Sequence, residues 1–178
     1  MGELIKMRSS ACSKRDIIDL CIHCGIDKSH IMAEVGSYAG ESASLFALYA
    51  GRIVCVDMWG LPKEDCEYPP SGLAHAEMLF DNVVQDNPHI LKVAKRSVHA
   101  ASYFPDCYFD LVYIDAAHDY LSVKSDLMAW LPKVKAEGYI AGHDYNDLHR
   151  DVIKAVNEFC GEPESVFCYW SWCRKVVG

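Results

Sequence analysis

The sequence predicts a doubly wound α/β domain, and three observations carry that prediction. Short apolar runs rich in β-branched and aromatic residues recur at 31–36, 52–57, 90–94, 109–114 and 139–142. Such runs suit strands buried on both faces of a parallel sheet. Between them lie segments with apolar residues at three- and four-residue spacing, as expected of helices that cover a sheet. Two last runs, 166–170 and 172–177, follow one another with no room for a helix and read as an antiparallel hairpin. The expected fold is a Rossmann-like sandwich: a seven-stranded, mostly parallel sheet with a C-terminal antiparallel hairpin, formed by one domain over residues 1–178.

In chain order, Ser13 and Asp16 read as a variant of the capping box that opens a leading helix over 13–24, with Ile17, Leu20, Cys21 and Cys24 on one face and Gly25 closing it. The first strand, 31–36, runs through a glycine turn into a helix over 41–50. The second strand ends at Asp57. The connection 58–72 holds Gly60, Pro62, Pro69, Pro70 and Gly72, and its length marks it as a lid or substrate segment. A helix follows over 73–86, with Leu73, Ala76, Phe80 and Val83 facing inward. The third strand precedes a short helix over 97–104. The fourth strand, Phe109 to Ile114, ends at Asp115. Asp119 caps the next helix, with Tyr120, Lys124, Leu127 and Leu131 on one face. The fifth strand runs into His143 and Asp144, and a helix over 148–160 carries Leu148, Val152, Val156 and Phe159 on its apolar side. The hairpin turn falls near Ser171.

Composition narrows the function. The 178 residues suffice for one core; 51% hydrophobic and 24% charged residues describe a folded globular chain. No run approaches the ~20 apolar residues of a membrane span. The segment Met1 to Arg8 lacks the apolar centre of a signal peptide. A cytoplasmic protein without a membrane partner is expected. A net charge of -8 argues against a nucleic-acid partner, and Lys92/Lys95/Arg96 read as a solvated face. The nine cysteines are scattered and read as reduced thiols used as small hydrophobes. Cys21-Ile22-His23-Cys24 has a metal-like spacing, but it lies on a helix and no second CxxC completes a zinc site.

Acids end several strands on one edge of the predicted sheet: Glu34, Asp57, Asp115 and Asp144. Ligands of open α/β sheets sit beyond the carboxyl ends of the strands. The first turn reads Glu34-x-Gly36-x-x-x-Gly40, not GxGxxG, and an acid there would repel a pyrophosphate. It suits a ligand with a cationic end. Asp57 follows Gly36 at the distance from which a strand-end acid reaches ribose hydroxyls. These features describe an adenosyl ligand whose far end is a charged amino acid.

The residues Glu34-Val35-Gly36-Ser37-Tyr38-Ala39-Gly40, Asp57, Ile114-Asp115-Ala116-Ala117-His118-Asp119-Tyr120 and Gly138 to Tyr145 resemble a class I S-adenosylmethionine-dependent methyltransferase. More narrowly, they resemble the macrocin-type sugar O-methyltransferases. The resemblance implies that Gly36 admits the methionine part of the cofactor, with Glu34, Ser37, Tyr38, Gly40 and Ser42 forming that turn. It implies that Asp57 binds the ribose, that Met58 and Trp59 lie near the adenine with Ser97 at its edge, and that Asp115 lies under the transferred methyl. His118 matches the candidate general base. Asp115, His143 and Asp144 match positions that hold magnesium in metal-dependent relatives, although a histidine weakens that case or points to a softer metal. The implied acceptor is a hydroxyl of a small molecule, with a homodimer as one way to close the site. Two other classes compete: a metal-dependent hydrolase built on Asp115, His118, His143 and Asp144, which leaves the glycine turn and Asp57 without a role, and a non-catalytic binding subunit.

Overall fold

A computed structural model describes residues 11–59 and 70–178. Its elements follow the predicted alternation: α1 (Ala11–His23), β1 (Ile31–Val35), α2 (Glu41–Tyr49), β2 (Arg52–Asp57), α3 (Pro70–Asp86), β3 (Ile90–Ala94), α4 (Ser97–Ala101), β4 (Phe109–Ile114), α5 (Tyr120–Trp130), β5 (Val134–Gly142), α6 (Arg150–Phe159), β6 (Ser165–Phe167) and β7 (Ser171–Lys175). The strands form one sheet of seven in the order β3-β2-β1-β4-β5-β7-β6. All pairs are parallel except β5–β7 and β6–β7. This bears out the predicted class and the C-terminal hairpin.

The strands lack polar alternation because both faces are covered. Met32, Ile53, Leu111 and Tyr113 point to a core shared with Leu20 of α1, Phe46 of α2 and Phe80 of α3. Their sequence neighbours Ala33, Val54, Val112 and Ile114 point the other way, to Ala100 of α4, Val123 and Trp130 of α5 and Val156 of α6. Strand order reverses between β1 and β4, with α2 leaving on one face and α5 on the other. A crevice therefore opens at their carboxyl ends.

Several boundaries and faces depart from expectation. Ser13 lies inside α1 rather than at its cap, and Asp16 is fully buried instead of serving the helix dipole in solvent. Helix α3 begins at Pro70, so the connection after β2 is shorter than 58–72; residues 60–69 of the expected lid lie outside the described residues. The inner face of α5 is Val123, Asp126, Leu127 and Trp130, one step round from the Tyr120/Lys124 stripe, because Asp119 accepts from the Ser122 N–H and fixes where the helix starts. Leu148 precedes α6 and is 80% exposed. The hairpin turns at Cys168, Tyr169 and Trp170, with Cys168 and Tyr169 at positive φ, so Ser171 belongs to β7.

Candidate active site

A cavity of about 790 Å³ opens at the switch point, within the size range of small-molecule sites. Gly36 forms its floor at φ +94, and a Cβ there would lie 2.0 Å from the Asp115 carbonyl oxygen. Glycine is required because the backbones at the ends of β1 and β4 touch, tied by Asp115 N–H to Val35 O at 2.7 Å. Gly40 also has positive φ, and a Cβ there would meet the Phe80 ring of α3 at 2.9 Å.

One wall is built from backbone donors. The Asp57 carboxylate accepts from the N–H of Tyr38 at 2.7 Å and of Met58 at 2.5 Å, bridging the β1 and β2 turns. Tyr38 is held at φ 43, a strained position for a residue with a side chain. Ser37, Tyr38, Ser42, Asp57, Met58 and Ser97 all line the cavity. Beneath them Glu34 is fully buried, and burial raises its pKa to about 7 while the nearby Ser37 and Ser42 hydroxyls pull it the other way. Among the described residues, Glu34 Oε1 and Ser37 Oγ are buried without a hydrogen-bond partner. Trp59 does not line the cavity. Its indole lies in the core against Phe80, 4.3 Å between centroids, and donates to Tyr38 O at 2.6 Å. It braces the turn from behind because the described chain folds the ring inward.

On the opposite side Asp115, His118 and His143 line the cavity, and Asp144, behind them, joins them in a network of carboxylates and imidazoles. Asp144, at φ 60, lies 2.8 Å from His118 Nε2, 3.2 Å from His143 Nδ1 and 3.4 Å from His149 Nε2. Asp115 is 4.0 Å from His118 and 3.9 Å from His143. The far nitrogen of His143 is 3.6 Å from Asp16 of α1. Asp16 also accepts from Ser171 Oγ at 2.9 Å, and Ser171 shares a 2.8 Å hydrogen bond with Tyr113 OH. The His143 ring stacks on Trp170, 5.5 Å away and within 12° of parallel. The Asp115 and Asp144 carboxylates outweigh burial and raise the pKa of His118 to about 10. His143 also rises to about 10: burial opposes the shift, and Asp144 and Asp16 prevail. The same imidazoles, against burial, hold the Asp144 carboxyl well below the usual range. With a proton on each nitrogen, His118 has no lone pair to offer, so the base role expected for it requires that proton to leave first.

Two sets of donor atoms here lie within 4.8 Å of one another: Asp115, His143 and Asp144, and His118, Asp144 and His149. Asp16, His149, Ser171 and Trp170 escaped the sequence reading. Asp16 carried a signal, an acid at the margin of an otherwise apolar helix face. His149 carried none, since only the turn before α6 brings it to Asp144.

No curated protein matches this sequence. By fold, the chain is similar to an O-methyltransferase described as putative from Klebsiella pneumoniae (TM-score 0.69, 14% identity, 98% of this chain and 84% of that one). It is also similar to the N-methyltransferase NodS from Bradyrhizobium japonicum, solved with S-adenosyl-L-homocysteine (TM-score 0.64, 12% identity, 92% and 85%). It spans half the length of the YcgJ protein from Bacillus subtilis (TM-score 0.57, 16% identity, 74% of this chain). The family model described as "Methyltransferase domain" matches residues 33–145, from β1 through the Asp144 turn. A cavity at the β1–β4 switch point, an acid at the end of β2 and this match lead to one conclusion: the chain belongs to the methyltransferase-domain family.

Proposed function

We propose that the chain is an S-adenosylmethionine-dependent O-methyltransferase of a small hydroxylated molecule, a sugar or sugar-like acceptor, and that a divalent metal assists it. One observation carries this reading: the cavity runs without interruption from Asp57 to Asp115 and His118. It joins a wall suited to a ribose diol to a wall suited to an acceptor hydroxyl. When bound, S-adenosylmethionine supplies a methyl group on a sulfonium, open to in-line attack by an oxygen nucleophile.

The residues present fit that group. Asp57 stands at the end of β2 in the lining of the cavity, where a carboxylate accepts from hydroxyls. Ser37 lines the cavity beside Gly36, whose lack of a side chain lets the ends of β1 and β4 touch. Asp115 puts a carboxylate in the lining of the cavity, matched to a cationic ligand. Ser97 accepts from Trp130 Nε1 at 2.8 Å and stands at the other end of the cavity. Positioning by these walls supplies the larger part of catalysis, up to ~7–11 kcal/mol for well-aligned reactants.

At the acceptor side, Asp115, His143 and Asp144 would hold a metal. The mixed carboxylate and imidazole donors suit manganese, iron or zinc better than magnesium, which prefers oxygen. Such an ion would lower the acceptor's pKa. Asp16 then orients His143 through its far nitrogen, the usual arrangement around a ligating histidine. The acidic charge of the chain supports a small acceptor over a nucleic acid.

Calorimetry with S-adenosylhomocysteine tests the cofactor reading. Micromolar binding that Asp57→Ala weakens at least tenfold is expected; no heat at millimolar ligand sinks it. For the metal, titration of manganese into the apo protein should show binding lost in Asp144→Asn, and activity insensitive to EDTA would count against it.

A further inference from the structure

A second cluster of metal-binding side chains lies away from the cavity. His23 and Cys24 stand at the C-terminal end of α1, Cys173 in the middle of β7, and Glu164 just before β6. None of these four residues lines the cavity. The donor atoms of His23, Glu164 and Cys173 lie within 4.8 Å of one another. His23 Nε2 is 3.2 Å from Glu164 Oε1. The Cys24 thiol neighbours the Cys173 thiol, just outside that set. Backbone geometry fixes the pair from the strand side: the Glu164 N–H donates to Cys173 O at 3.0 Å, so the carboxylate and the thiol emerge side by side.

We propose that His23, Cys24, Glu164 and Cys173 form a structural site for a thiolate-seeking divalent cation, zinc by preference. The chemistry points there. Two sulfurs, one imidazole and one carboxylate are a zinc donor set, and four protein ligands leave no open position for catalysis. The spacing fits as well. Tetrahedral bonds of ~2.0–2.3 Å place donor atoms roughly 3.3–3.8 Å apart, so His23, Glu164 and Cys173, already within 4.8 Å, close by small rotamer shifts, and Cys24 swings in as the fourth ligand. An entry path exists, since the His23 and Glu164 side chains are 37% and 39% exposed while Cys173 is buried. A bound dication deprotonates the thiols it ligates, releasing two protons.

The site joins the first described helix to the last strand, residues 141 apart in the case of His23 and Glu164. It thereby anchors α1. Asp16, two turns earlier on that helix, reaches Ser171 and His143, so the cation would steady the acceptor wall from a distance. The sequence held half of this site in Cys21-Ile22-His23-Cys24. The missing ligands come from the other end of the chain instead of a second CxxC.

Cobalt(II) titration of the reduced, metal-free protein tests the proposal, because a thiolate ligand gives a near-ultraviolet charge-transfer band that the oxygen and nitrogen donors of the acceptor wall cannot give. One equivalent of cobalt should produce that band with tetrahedral visible bands, zinc should displace it, and zinc should raise the melting temperature. Cys24→Ser and Cys173→Ser should each weaken the band by about half, and the double variant should abolish it. His23→Ala, a partly exposed position that threatens folding least, should weaken binding at least tenfold. Absence of the band, an undiminished band in Cys24→Ser, or its survival in the double variant overturns the proposal. So does a Cys24–Cys173 disulfide in protein purified with metal and reductant present.

Discussion

The two walls of the cavity are built in opposite ways. On the Asp57 side, charge is met by backbone: the carboxylate rests on the N–H groups of Tyr38 and Met58, and Gly36 lets two strand ends touch. On the Asp144 side, charge is met by side chains: three imidazoles and a second carboxylate crowd one acid. The first wall is set by local turns and tolerates little change of shape. The second is an electrostatic assembly drawn from α1, β4, β5 and the segments beside them, and it responds to protons and metal. Under the proposed function, the first wall would seat the cofactor and the second the acceptor.

Substitutions at the two walls should therefore fail differently. The largest effect is expected for Asp144→Asn, which leaves two imidazolium groups without their shared partner. Breaking such a buried pair costs ~3–5 kcal/mol, read as a lower midpoint in urea, and NMR should show the His118 pKa falling. Gly36→Ala comes next. Its Cβ cannot coexist with the Asp115 carbonyl, so overpacking and a positive φ together cost about 3 kcal/mol, and S-adenosylhomocysteine binding should vanish. Asp57→Ala should weaken that binding by about 2–3 kcal/mol, the range of hydrogen bonds to a charged group, with a smaller loss of stability. If Asp57→Ala harmed folding more than Asp144→Asn, the contrast drawn here would be broken.

Proton release gives the smallest and most diagnostic effect. His118 and His143 have folded pKa values raised from 6.5 to about 10. Their pairing thus contributes fully below pH 6.5 and is lost as pH rises through 10. Asp144 is lowered from 3.8, so its contribution is present above that value and is lost only in stronger acid. The metal-free protein should lose several degrees of melting temperature between neutral pH and pH 10, about 2–4 °C for each kcal/mol at this size. Asp144→Asn should flatten that slope; Asp57→Ala should leave it unchanged.

Legibility in the sequence follows the same line. The glycine turn, Asp57, the strand-ending acids and the alternation of elements could be read because each depends on near neighbours: periodicity, a turn, a residue at a strand end. The Asp119 cap was legible for that reason, bonding three residues ahead. Trp59 misled because a large ring beside a predicted pocket can fold either way, and the space over Phe80 decided it.

By itself the sequence determined the sheet, its covering helices, the switch point and the acids that edge it. These follow from hydrophobic period and local backbone preference, which act over a few residues. Only the tertiary structure decided the partners. Asp16 meets Ser171 across 155 positions, His23 meets Glu164 across 141, and His149 reaches Asp144 through a turn with no sequence signature. Such meetings depend on how α1 and the hairpin pack against β5. A packed core fixes them to within an ångström, and one-dimensional spacing does not encode them.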